Sequence, residues 1–338
     1  MTVSEILETL AKGVSLGDEQ ASFMFEKMAD GELTPAQSGA FLMGLRCKGE
    51  DSTDLAAGVR ALLARAVKIP GVTDDRSRTM IDTCGTGGDG SCSFNCSTAV
   101  GLFLADMGMT VAKHGNRALS SSCGSADALE ELGVPLDLTP EQAAASIGIC
   151  GFAFLFAPAY HPAFKHIMPV RQQLGIRTLF NMMGPLLNPA RPSHQLLGVG
   201  DPERLSIMGE TLLLTGVERA LLFSGAGGWD ELTTWGPSRG YLISDGIMEK
   251  TTINPDRLGF KPHAPQDVRV SGKEHAVAVL RDILAGKGPE AMMDMVALNV
   301  AAALMLLEGG TMKEHAGKAR DIVHAGLSRE LPTTRPGA

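Results

Sequence analysis

The apolar positions in the first seventy residues recur with helical spacing. Residues 2–5 (Thr-Val-Ser-Glu) and 34–37 (Thr-Pro-Ala-Gln) each carry a capping pattern that opens a helix, the second with proline at its first position. An apolar stripe follows over residues 40–45, and another helix is predicted from about Thr53 to Ala66. The turn dipeptide Pro70-Gly71 and the polar residues after it then end this helical part.

Beyond this boundary, short apolar runs alternate with helical stretches. The runs cover residues 79–83, 110–112, 152–156, 195–199 and 220–224. One of the helical stretches opens at residues 139–142 (Thr-Pro-Glu-Gln) in the same way as the helix at residues 34–37. Strands that alternate with helices are typical of parallel sheets, because a crossover helix returns the chain to the same end of the sheet. We therefore expect an α/β fold: a small all-helical domain plus a larger α/β domain with a central, mostly parallel sheet.

A glycine-rich segment follows the first predicted strand. It reads Asp-Thr-Cys-Gly-Thr-Gly-Gly-Asp-Gly from Asp82 to Gly90, and Ser93-Phe-Asn-Cys-Ser-Thr98 then leads into an apolar helix. Such a loop lets backbone N–H groups approach an anion closely, and the helix N-terminus adds positive potential. The spacing is neither that of a Walker loop nor that of a dinucleotide-binding loop. The segment predicts a phosphate site of another kind, with a plain glycine turn as the alternative.

A second polar segment follows the next predicted strand. Lys113-His-Gly-Asn-Arg117 and Ser120-Ser-Ser-Cys-Gly-Ser125 offer cations, an amide and hydroxyls to an anion. Ligands of parallel sheets bind beyond the carboxyl ends of the strands. Two such loops at neighbouring strand ends therefore favour a shared phosphate site over a solvated loop.

Two further segments carry candidate ligands. Asp230 and Glu231 follow the strand at 220–224, and adjacent carboxylates beside phosphates are typical Mg²⁺ ligands, although an exposed acidic turn is the alternative. Arg171 lies in a basic helix predicted over residues 161–178. Its planar guanidinium could hold a substrate carboxylate or form a structural ion pair.

Charge and hydropathy narrow the class of protein. The 338 residues include 30 Lys and Arg against 38 Asp and Glu, a net charge of −8, which disfavours binding to nucleic acid or anionic membranes. The longest apolar runs noted, 149–157 and 301–307, are too short to span a bilayer, and the N-terminus has no basic segment typical of secretion signals. We expect a cytoplasmic protein that acts on small molecules, with no nucleic-acid or membrane partner.

The six cysteines do not form the pattern of a secreted disulfide framework. They are Cys47, Cys84, Cys92, Cys96, Cys123 and Cys150. The spacing of Cys92 and Cys96, with His114 downstream, raises the alternative of a zinc site, but it is not a standard zinc pattern. We expect the cysteines to be small apolar filling without a metal or catalytic role.

Together these segments resemble the anthranilate phosphoribosyltransferase family, and the resemblance covers nearly the whole chain. It extends to Gly31-Glu-Leu-Thr-x-x-Gln37, Leu45-Arg-x-Lys-Gly-Glu50, Gly124-Ser-x-Asp127, Leu174-Gly-Ile-Arg-Thr178 and Asn181-x-x-Gly-Pro-Leu186. The chain departs from the family pattern at Ser224-Gly225, where the family usually has His-Gly. Its cysteines are also not part of that pattern.

The resemblance implies an activity and an architecture. Members transfer the 5-phosphoribosyl group of phosphoribosyl pyrophosphate (PRPP) to the amino group of anthranilate and release pyrophosphate, a step of tryptophan biosynthesis. They use Mg²⁺ and are commonly homodimers through the helical domain. The implied helical domain comprises residues 1–70 plus about 165–190, and the α/β domain comprises 72–164 and 191–330, with 331–338 as a mobile tail. The active site would lie in a hinged cleft between the domains.

The resemblance also implies roles for individual residues. Lys113, His114, Asn116 and Arg171 are the expected catalytic residues. The expected substrate-binding residues are Gly85, Gly88, Asp89, Ser93, Asn95, Ser97, Thr98, Lys113, His114, Gly115, Asn116, Arg117, Ser120, Ser121, Ser125 and Arg171. Gly85, Asn116 and Arg171 would hold anthranilate, and Lys113 would stabilise the departing pyrophosphate. The expected Mg²⁺ ligands are Ser97, Asp230 and Glu231.

Two rival functions remain open at this point. Pyrimidine nucleoside phosphorylases share the architecture but have a different lysine-containing loop from Lys113–Arg117, and arsenate-dependent breakdown of thymidine would reveal that activity. A non-catalytic relative that binds nucleic acid is the other rival. The acidic balance and the intact glycine, lysine and carboxylate segments disfavour it.

Overall fold

A computed structural model of the chain describes residues 1–75, 77–87, 93–117, 123–333 and 335–336. Its helices α1 to α14 are, in order, Val3–Ala11, Asp18–Asp30, Pro35–Lys48, Ser52–Ala64, Cys96–Asp106, Ser125–Glu131, Pro140–Cys150, Ala157–Tyr160, Phe164–Leu174, Phe180–Met183, Leu205–Thr215, Lys273–Leu284, Glu290–Glu308 and Met312–Ala325. Its strands β1 to β7 are Ile81–Gly85, Val111–Gly115, Phe152–Phe156, His194–Gly198, Arg219–Ser224, Ser238–Ser244 and Ile247–Ile253. The predicted combination of a helical part and an α/β part is confirmed.

The strands form one mixed sheet in the order β3-β2-β1-β4-β5-β6-β7. Strands β1 to β5 are parallel, as predicted, whereas β6 and β7 add an antiparallel hairpin that the sequence analysis missed. The hairpin turns at Asp245 and Gly246, whose φ angles are 54° and 74°. An Asp-Gly pair favours this turn because both central residues need positive φ, so the signal was present in the sequence.

Three of the helices begin where the sequence placed their capping patterns. The side chains of Thr2, Thr34 and Thr139 each accept the N–H of the residue three positions on, and Glu5, Gln37 and Gln142 return the bond to the cap. These reciprocal bonds satisfy N–H groups that a helix start otherwise leaves unpaired.

The helix predicted over residues 161–178 is shorter than expected. Helix α9 begins at Phe164, because His161 lies outside helical geometry with φ −122° and ψ 71°. It ends before Gly175, which has a φ of 63°. A left-handed glycine of this kind is a common helix terminus. Arg171 therefore lies in the last turn of α9.

Helix α13 is the central helix of the core on one sheet face. It is the one helix in the described ranges that is long and apolar enough, by length and composition alone, to cross a membrane, but 83% of its apolar window is buried inside the protein. The apolar runs read from the sequence are shorter than this helix because Asp294 and Asn299 interrupt its apolar residues. Asp294 is accommodated inside the fold, where the Nε2 atom of His263 lies 3.0 Å from its carboxylate.

The segment after β3 returns to the N-terminal helices. Helix α9 contacts α2 and α3, and the ring of Phe180 lies 6.4 Å from that of Phe25 in α2. The terminal methyl of Met183 in α10 lies so close to Gly58 in α4 that a Cβ there would be 2.1 Å from it. These contacts join residues 164–183 to helices α1 to α4. The division into two domains with a hinge stays a prediction.

The segment after α14, which the sequence predicted as a mobile tail, makes contacts where it is described. Leu331 packs against the core of the α/β part, and the guanidinium of Arg335 lies 2.6 Å from the carboxylate of Asp137. Both groups of that ion pair are largely exposed, so the pair itself adds little stability.

We expect Gly58→Val to destabilise the protein by about 1–3 kcal/mol, because the added atoms collide with Met183 and Phe25 in a close-packed core. The measurement is the midpoint of urea unfolding. Gly317→Val is the matched control, since an added Cβ on this exposed face of α14 meets no atom within 4 Å. An equal response of the two variants would contradict the packing of α10 against α4.

Candidate active site

Glycines at the strand ends make room for the Asp230 segment. A Cβ on Gly85, the last residue of β1, would lie 2.3 Å from the Asp230 carboxylate. A Cβ on Gly198, the last residue of β4, would lie 1.7 Å from the Asp230 carbonyl oxygen. The carboxylate of Asp230 then accepts the N–H of Gly87 at 2.7 Å. Asp230 is thus held against the backbone of the glycine loop.

Glu231 is held at the start of helix α5. Its Oε1 atom accepts the N–H of Ser97 at 3.0 Å, in the first turn of the helix. A carboxylate is favourable there because it pairs with an N–H that the helix leaves unbonded and with the positive end of the helix dipole. Asp230 and Glu231 therefore lie over two sources of positive potential, the glycine loop and a helix N-terminus.

Lys113 lies beneath these groups and not at the surface. Its side chain extends from β2 and is 2% exposed, and its Nζ donates to the carbonyl of Thr83 and, at 3.2 Å, to the hydroxyl of Ser97. The fully buried Asp82 is near, and burial raises the pKa of Asp82 to about 6 while the charge of Lys113 opposes this. The position suits Lys113 to orient the Ser97 hydroxyl and to act on a phosphate through that hydroxyl.

The donor set suits a hard cation. Asp230, Glu231 and the Ser97 hydroxyl supply oxygen atoms, and Mg²⁺ is commonly bound by one or two carboxylates together with substrate phosphates. No group of three or more His, Cys, Asp or Glu side chains gathers in metal-binding geometry within the described ranges. These residues therefore fit a cation that the substrate helps to hold, rather than one enclosed by protein ligands alone.

A row of ring contacts begins at His114, whose side chain is on the face of β2 opposite to that of Lys113. His114 contacts His161 at a ring distance of 5.2 Å, His161 contacts Phe164 at 6.0 Å, and Phe164 contacts Phe180 at 6.1 Å. The guanidinium carbon of Arg171 lies 5.4 Å from the centre of the Phe180 ring. This row of rings, the aromatic wall, extends from His114 of β2 to Arg171.

Burial keeps both histidines of this wall neutral. It lowers the pKa of His114 to about 3 and that of His161 to about 4. The ring nitrogens of His161 and Nε2 of His114 are buried, and the backbone groups that interact with these two rings are those of Leu187 and Gly184, respectively. At neutral pH the two imidazoles carry no charge and are weak bases.

Arg171 makes no ion pair with a carboxylate in the part of the chain that is described, although it is half-buried. Its guanidinium contacts Met168 Sδ, at 3.7 Å from Nη1, and the face of the Phe180 ring. Burial lowers the pKa of Arg171, which reflects the cost of removing a cation from water. A partly buried guanidinium without a protein anion favours a ligand anion over the structural ion pair left open by the sequence.

Arg117 is placed differently from the expected phosphate ligand. Its guanidinium binds Glu130 through both nitrogens, at 2.7 and 2.9 Å, and Asp127 at 3.1 Å. Both carboxylates belong to α6, thirteen and ten residues further along the chain, so the sequence alone did not reveal the pairing. In this conformation the Arg117 guanidinium is bound to α6.

The remaining expected binding residues surround the starts of α5 and α6. Asn95, the residue before α5, donates its side-chain N–H to the Cys123 carbonyl at 3.1 Å and makes no capping bond to the helix. Its Oδ1 and the Thr98 hydroxyl are buried without partners in the described structure. Ser125 lies at the start of α6, close to Gly115, where a Cβ would be 2.3 Å from its hydroxyl. Asn116 is exposed and accepts the N–H of Arg117.

Several expected residues lie outside the described ranges, and Ser93 lies at the edge of one. Those outside are Gly88, Asp89, Ser120 and Ser121, together with Cys92 of the zinc alternative. The hydroxyl of Ser93 donates to the carbonyl of Phe94 at 3.1 Å. Of the described cysteines, Cys96 is buried and Cys84 is partly buried, and burial raises the pKa of both thiols. A raised pKa opposes formation of the thiolate that a metal or a reaction needs.

Comparison with known proteins identifies the family. The helical bundle domain of the glycosyl transferase family matches residues 4–66, and the a/b domain of that family matches residues 77–329. The anthranilate phosphoribosyltransferase of Nitratidesulfovibrio vulgaris is 54% identical over 334 residues, which cover 97% of this chain and 98% of that protein. This chain belongs to the anthranilate phosphoribosyltransferase family.

Solved structures of the family have the same fold. The anthranilate phosphoribosyltransferase of Thermus thermophilus matches with a TM-score of 0.84 at 36% identity, covering 95% of each chain. That of Saccharomyces cerevisiae, in complex with PRPP and Mg, matches with a TM-score of 0.85 over 96% of this chain and 94% of its own. The yeast enzyme has also been solved with 4-fluoroanthranilate. At 22% identity the yeast likeness concerns the fold alone.

Three features of the site were missed by the sequence analysis. Gly198 and Gly225 make room for the backbone of Asp230 and Glu231, since a Cβ on Gly225 would lie 2.2 Å from the Glu231 carbonyl oxygen. His161 forms the aromatic wall with His114. The available signal was Gly225 directly after the predicted strand 220–224 and Gly198 near the end of the predicted strand 195–199. At Ser224, where the family usually has His, the buried hydroxyl has no hydrogen-bond partner in the described structure.

We expect Gly198→Ala to raise the Mg²⁺ concentration needed for half-maximal activity by about 10- to 100-fold, because the added methyl displaces the backbone of Asp230. The measurement is the Mg²⁺ dependence of the initial rate. Gly148→Ala is the control, because an added Cβ on this exposed helical position meets nothing within 4 Å. An unchanged Mg²⁺ requirement in a folded Gly198→Ala variant would contradict the proposed contact.

Proposed function

We propose that this chain transfers the 5-phosphoribosyl group of PRPP to the amino group of anthranilate, giving N-(5-phosphoribosyl)anthranilate and pyrophosphate, in tryptophan biosynthesis. The observation that carries the proposal is that two neighbouring residues of one strand, Lys113 and His114, reach two chemically different parts of the site. Lys113 of β2 reaches the Ser97, Asp230 and Glu231 group, whereas the next residue, His114, starts the aromatic wall that ends at Arg171. One half suits a magnesium-bound polyphosphate, and the other suits a flat aromatic carboxylate.

The phosphate half binds PRPP through backbone and hydroxyl groups. Asn95, Thr98 and Ser97 at the start of α5 offer polar atoms, of which Asn95 Oδ1 and the Thr98 hydroxyl are unsatisfied in the described structure. The helix N-terminus favours an anion at this position. Mg²⁺, when held by Asp230, Glu231 and Ser97, would offset the negative charge that grows on the pyrophosphate leaving group. Lys113 orients the Ser97 hydroxyl from below.

The aromatic half holds and aims anthranilate. Arg171 pairs with the carboxylate, and the wall of His114, His161, Phe164 and Phe180 packs against the ring. The aromatic amine is a neutral nucleophile at pH 7, so the reaction needs no strong general base. The lowered pKa values of His114 and His161 agree with this, because neutral buried imidazoles can orient the amine but cannot readily take its proton.

The assembly and location of the enzyme are also proposals. We propose a homodimer formed through the helical domain. A shallow apolar depression of about 400 Å³ between α1 and α3, lined by Leu7, Leu10 and Ala40 among others, supports it, as does Met43 of α3, which is 44% exposed. We propose that the enzyme acts in the cytoplasm. Its substrates are small molecules, and its acidic net charge disfavours binding to nucleic acid or anionic membranes.

We expect Arg171→Ala to lower kcat/KM for anthranilate by about 10- to 150-fold, because a charge-assisted hydrogen-bonded pair contributes roughly 1.5–3 kcal/mol. The KM for PRPP should change by less than about twofold, since Arg171 lies beyond the aromatic wall from the phosphate residues. Lysine at this position should rescue poorly, because an ammonium lacks the planar fork. The measurement is a steady-state assay of anthranilate fluorescence with and without PRPP.

Arg177→Ala is the matched control, since Arg177 is an exposed arginine six residues further along. An equal loss for both substrates in Arg171→Ala, or normal anthranilate kinetics with a fall of several degrees in melting temperature, would favour the structural role. Thymidine breakdown with arsenate, assayed in parallel on the unmodified protein, tests the nucleoside phosphorylase alternative.

We expect the double variant Asp230→Asn, Glu231→Gln to raise the Mg²⁺ and PRPP concentrations needed for half-maximal rate by at least about tenfold. The amide oxygens can still accept the N–H groups of Gly87 and Ser97, so the fold should persist while the charge is lost. The matched control is Asp245→Asn, Glu249→Gln on the exposed β6–β7 hairpin. An unchanged Mg²⁺ titration in the site variant would remove the pair from the metal site.

A further inference from the structure

Asn299 is a buried amide inside the most apolar helix of the protein. It lies in α13, where its neighbours are Ala, Val, Leu and Met, and it is fully buried. Burying an amide without hydrogen bonds costs free energy, so a buried amide is normally fully bonded. The hydrogen-bond partners of Asn299 therefore indicate which part of the structure it stabilises.

Two of those partners are the backbone groups of a single residue, Leu232. The Oδ1 atom of Asn299 accepts the N–H of Leu232 at 3.2 Å, and its Nδ2 donates to the Leu232 carbonyl at 3.0 Å. The same Nδ2 donates to the Met295 carbonyl one turn earlier in α13, at 2.8 Å. The amide thus binds one loop residue in two directions and is itself oriented by its own helix.

Leu232 directly follows Glu231, so this contact fixes one end of the acidic segment. The other end is fixed at Trp229, whose carbonyl accepts the N–H of Gly225 at 2.7 Å. Asp230 and Glu231 lie between these two anchors. A rotation of the Leu232 peptide would move the Glu231 carboxylate away from the Ser97 N–H and the Asp230 carboxylate away from Gly87.

The helix that carries Asn299 also packs against α5. Helix α5 holds Ser97 at its first turn. Helix α13 is therefore the common support of the acidic segment and of the helix N-terminus that it faces. Helix α13 thus sets the distance between the carboxylates and the Ser97 hydroxyl. A cation held by these groups would depend on that distance.

We propose that Asn299 is a positioning residue for the Asp230 and Glu231 pair, and that it sets the affinity of the site for Mg²⁺ and for the phosphates of the donor substrate. It touches neither ligand, and it acts through the Leu232 peptide. The proposal rests on the proposed function for the identity of the ligands. Residues that orient metal ligands typically change metal affinity by about 10- to 100-fold when replaced.

The test replaces Asn299 by Leu, which has a similar volume and no hydrogen bonds, and by Ser, which keeps one hydroxyl. Calorimetric titration of PRPP at fixed Mg²⁺, and the Mg²⁺-dependent rise in melting temperature with PRPP present, report binding without turnover. We expect Asn299→Leu to weaken PRPP binding and to raise the half-saturating Mg²⁺ concentration by about 10- to 100-fold. Asn299→Ser should lie between it and the unmodified protein. The KM for anthranilate should change by less than about twofold.

Ser146→Ala is the matched control. It also removes a buried bond from a helix side chain to a backbone carbonyl, that of Phe152 at 2.7 Å, but in α7, away from the acidic segment. It should leave Mg²⁺ and PRPP binding unchanged. High Mg²⁺ should restore the kcat of Asn299→Leu, since the chemistry itself is intact, whereas a purely structural role predicts no such recovery.

Several results would overturn the proposal. These are unchanged Mg²⁺ and PRPP binding in folded Asn299→Leu, an equal loss for anthranilate, the same loss in Ser146→Ala, or a failure of both Asn299 variants to fold. If the unmodified protein itself binds no PRPP with Mg²⁺, the proposed function fails. If it binds them and Asn299→Leu binds equally well, only the role of Asn299 fails.

Discussion

The site depends on one constraint: glycine must stand at the ends of four strands, where a side chain would have no room. Gly85, Gly115 and Gly198 close β1, β2 and β4, Gly225 follows β5, and a Cβ at any of them would collide with a residue of the site. Because parallel strands end side by side, these glycines together leave a groove along the sheet edge. The segment Asp230–Glu231 lies in that groove, which brings its carboxylates to the glycine loop and to the start of α5. Larger residues at these strand ends would keep the acidic pair from both.

The alternating direction of the side chains along β2 divides the site into its two chemical halves. Successive side chains of a strand point to opposite faces, so Lys113 and His114 of β2 cannot share an environment. Lys113 reaches Ser97 under the phosphate side, and His114 joins the rings that run to Arg171. In the proposed function, the Lys-His pair would therefore mark the line at which the sugar of one substrate meets the amine of the other. This division does not depend on the conformation of the loops beyond the strand.

Local pattern predicted the scaffold well and the side-chain partners less well. The capping boxes at Thr34 and Thr139 and the parallel strands follow from residues close in sequence, and they are confirmed. The pairing of Arg117 with Glu130 and the burial of Lys113 depend on elements that meet only after folding, so a list of cations could not distinguish a phosphate ligand from a structural one. The roles of the remaining site residues stay predictions. The β6–β7 hairpin was not predicted, although the Asp-Gly pair at its turn is a recognisable hairpin signal in the sequence.

The placement of charges implies how the site selects its phosphate donor. With Arg117 paired to α6 and Lys113 buried, the described residues around the proposed phosphate position offer mainly hydroxyls and two carboxylates. Two carboxylates beside a polyphosphate repel it, by about 1 kcal/mol for each pair of unit charges 4 Å apart even in water, and more strongly where the dielectric is lower. A donor that arrives with its own divalent cation converts that repulsion into attraction. In the proposed site the acidic pair would therefore disfavour phosphates that bind Mg²⁺ weakly, such as a monoester, and favour a pyrophosphate that chelates the cation.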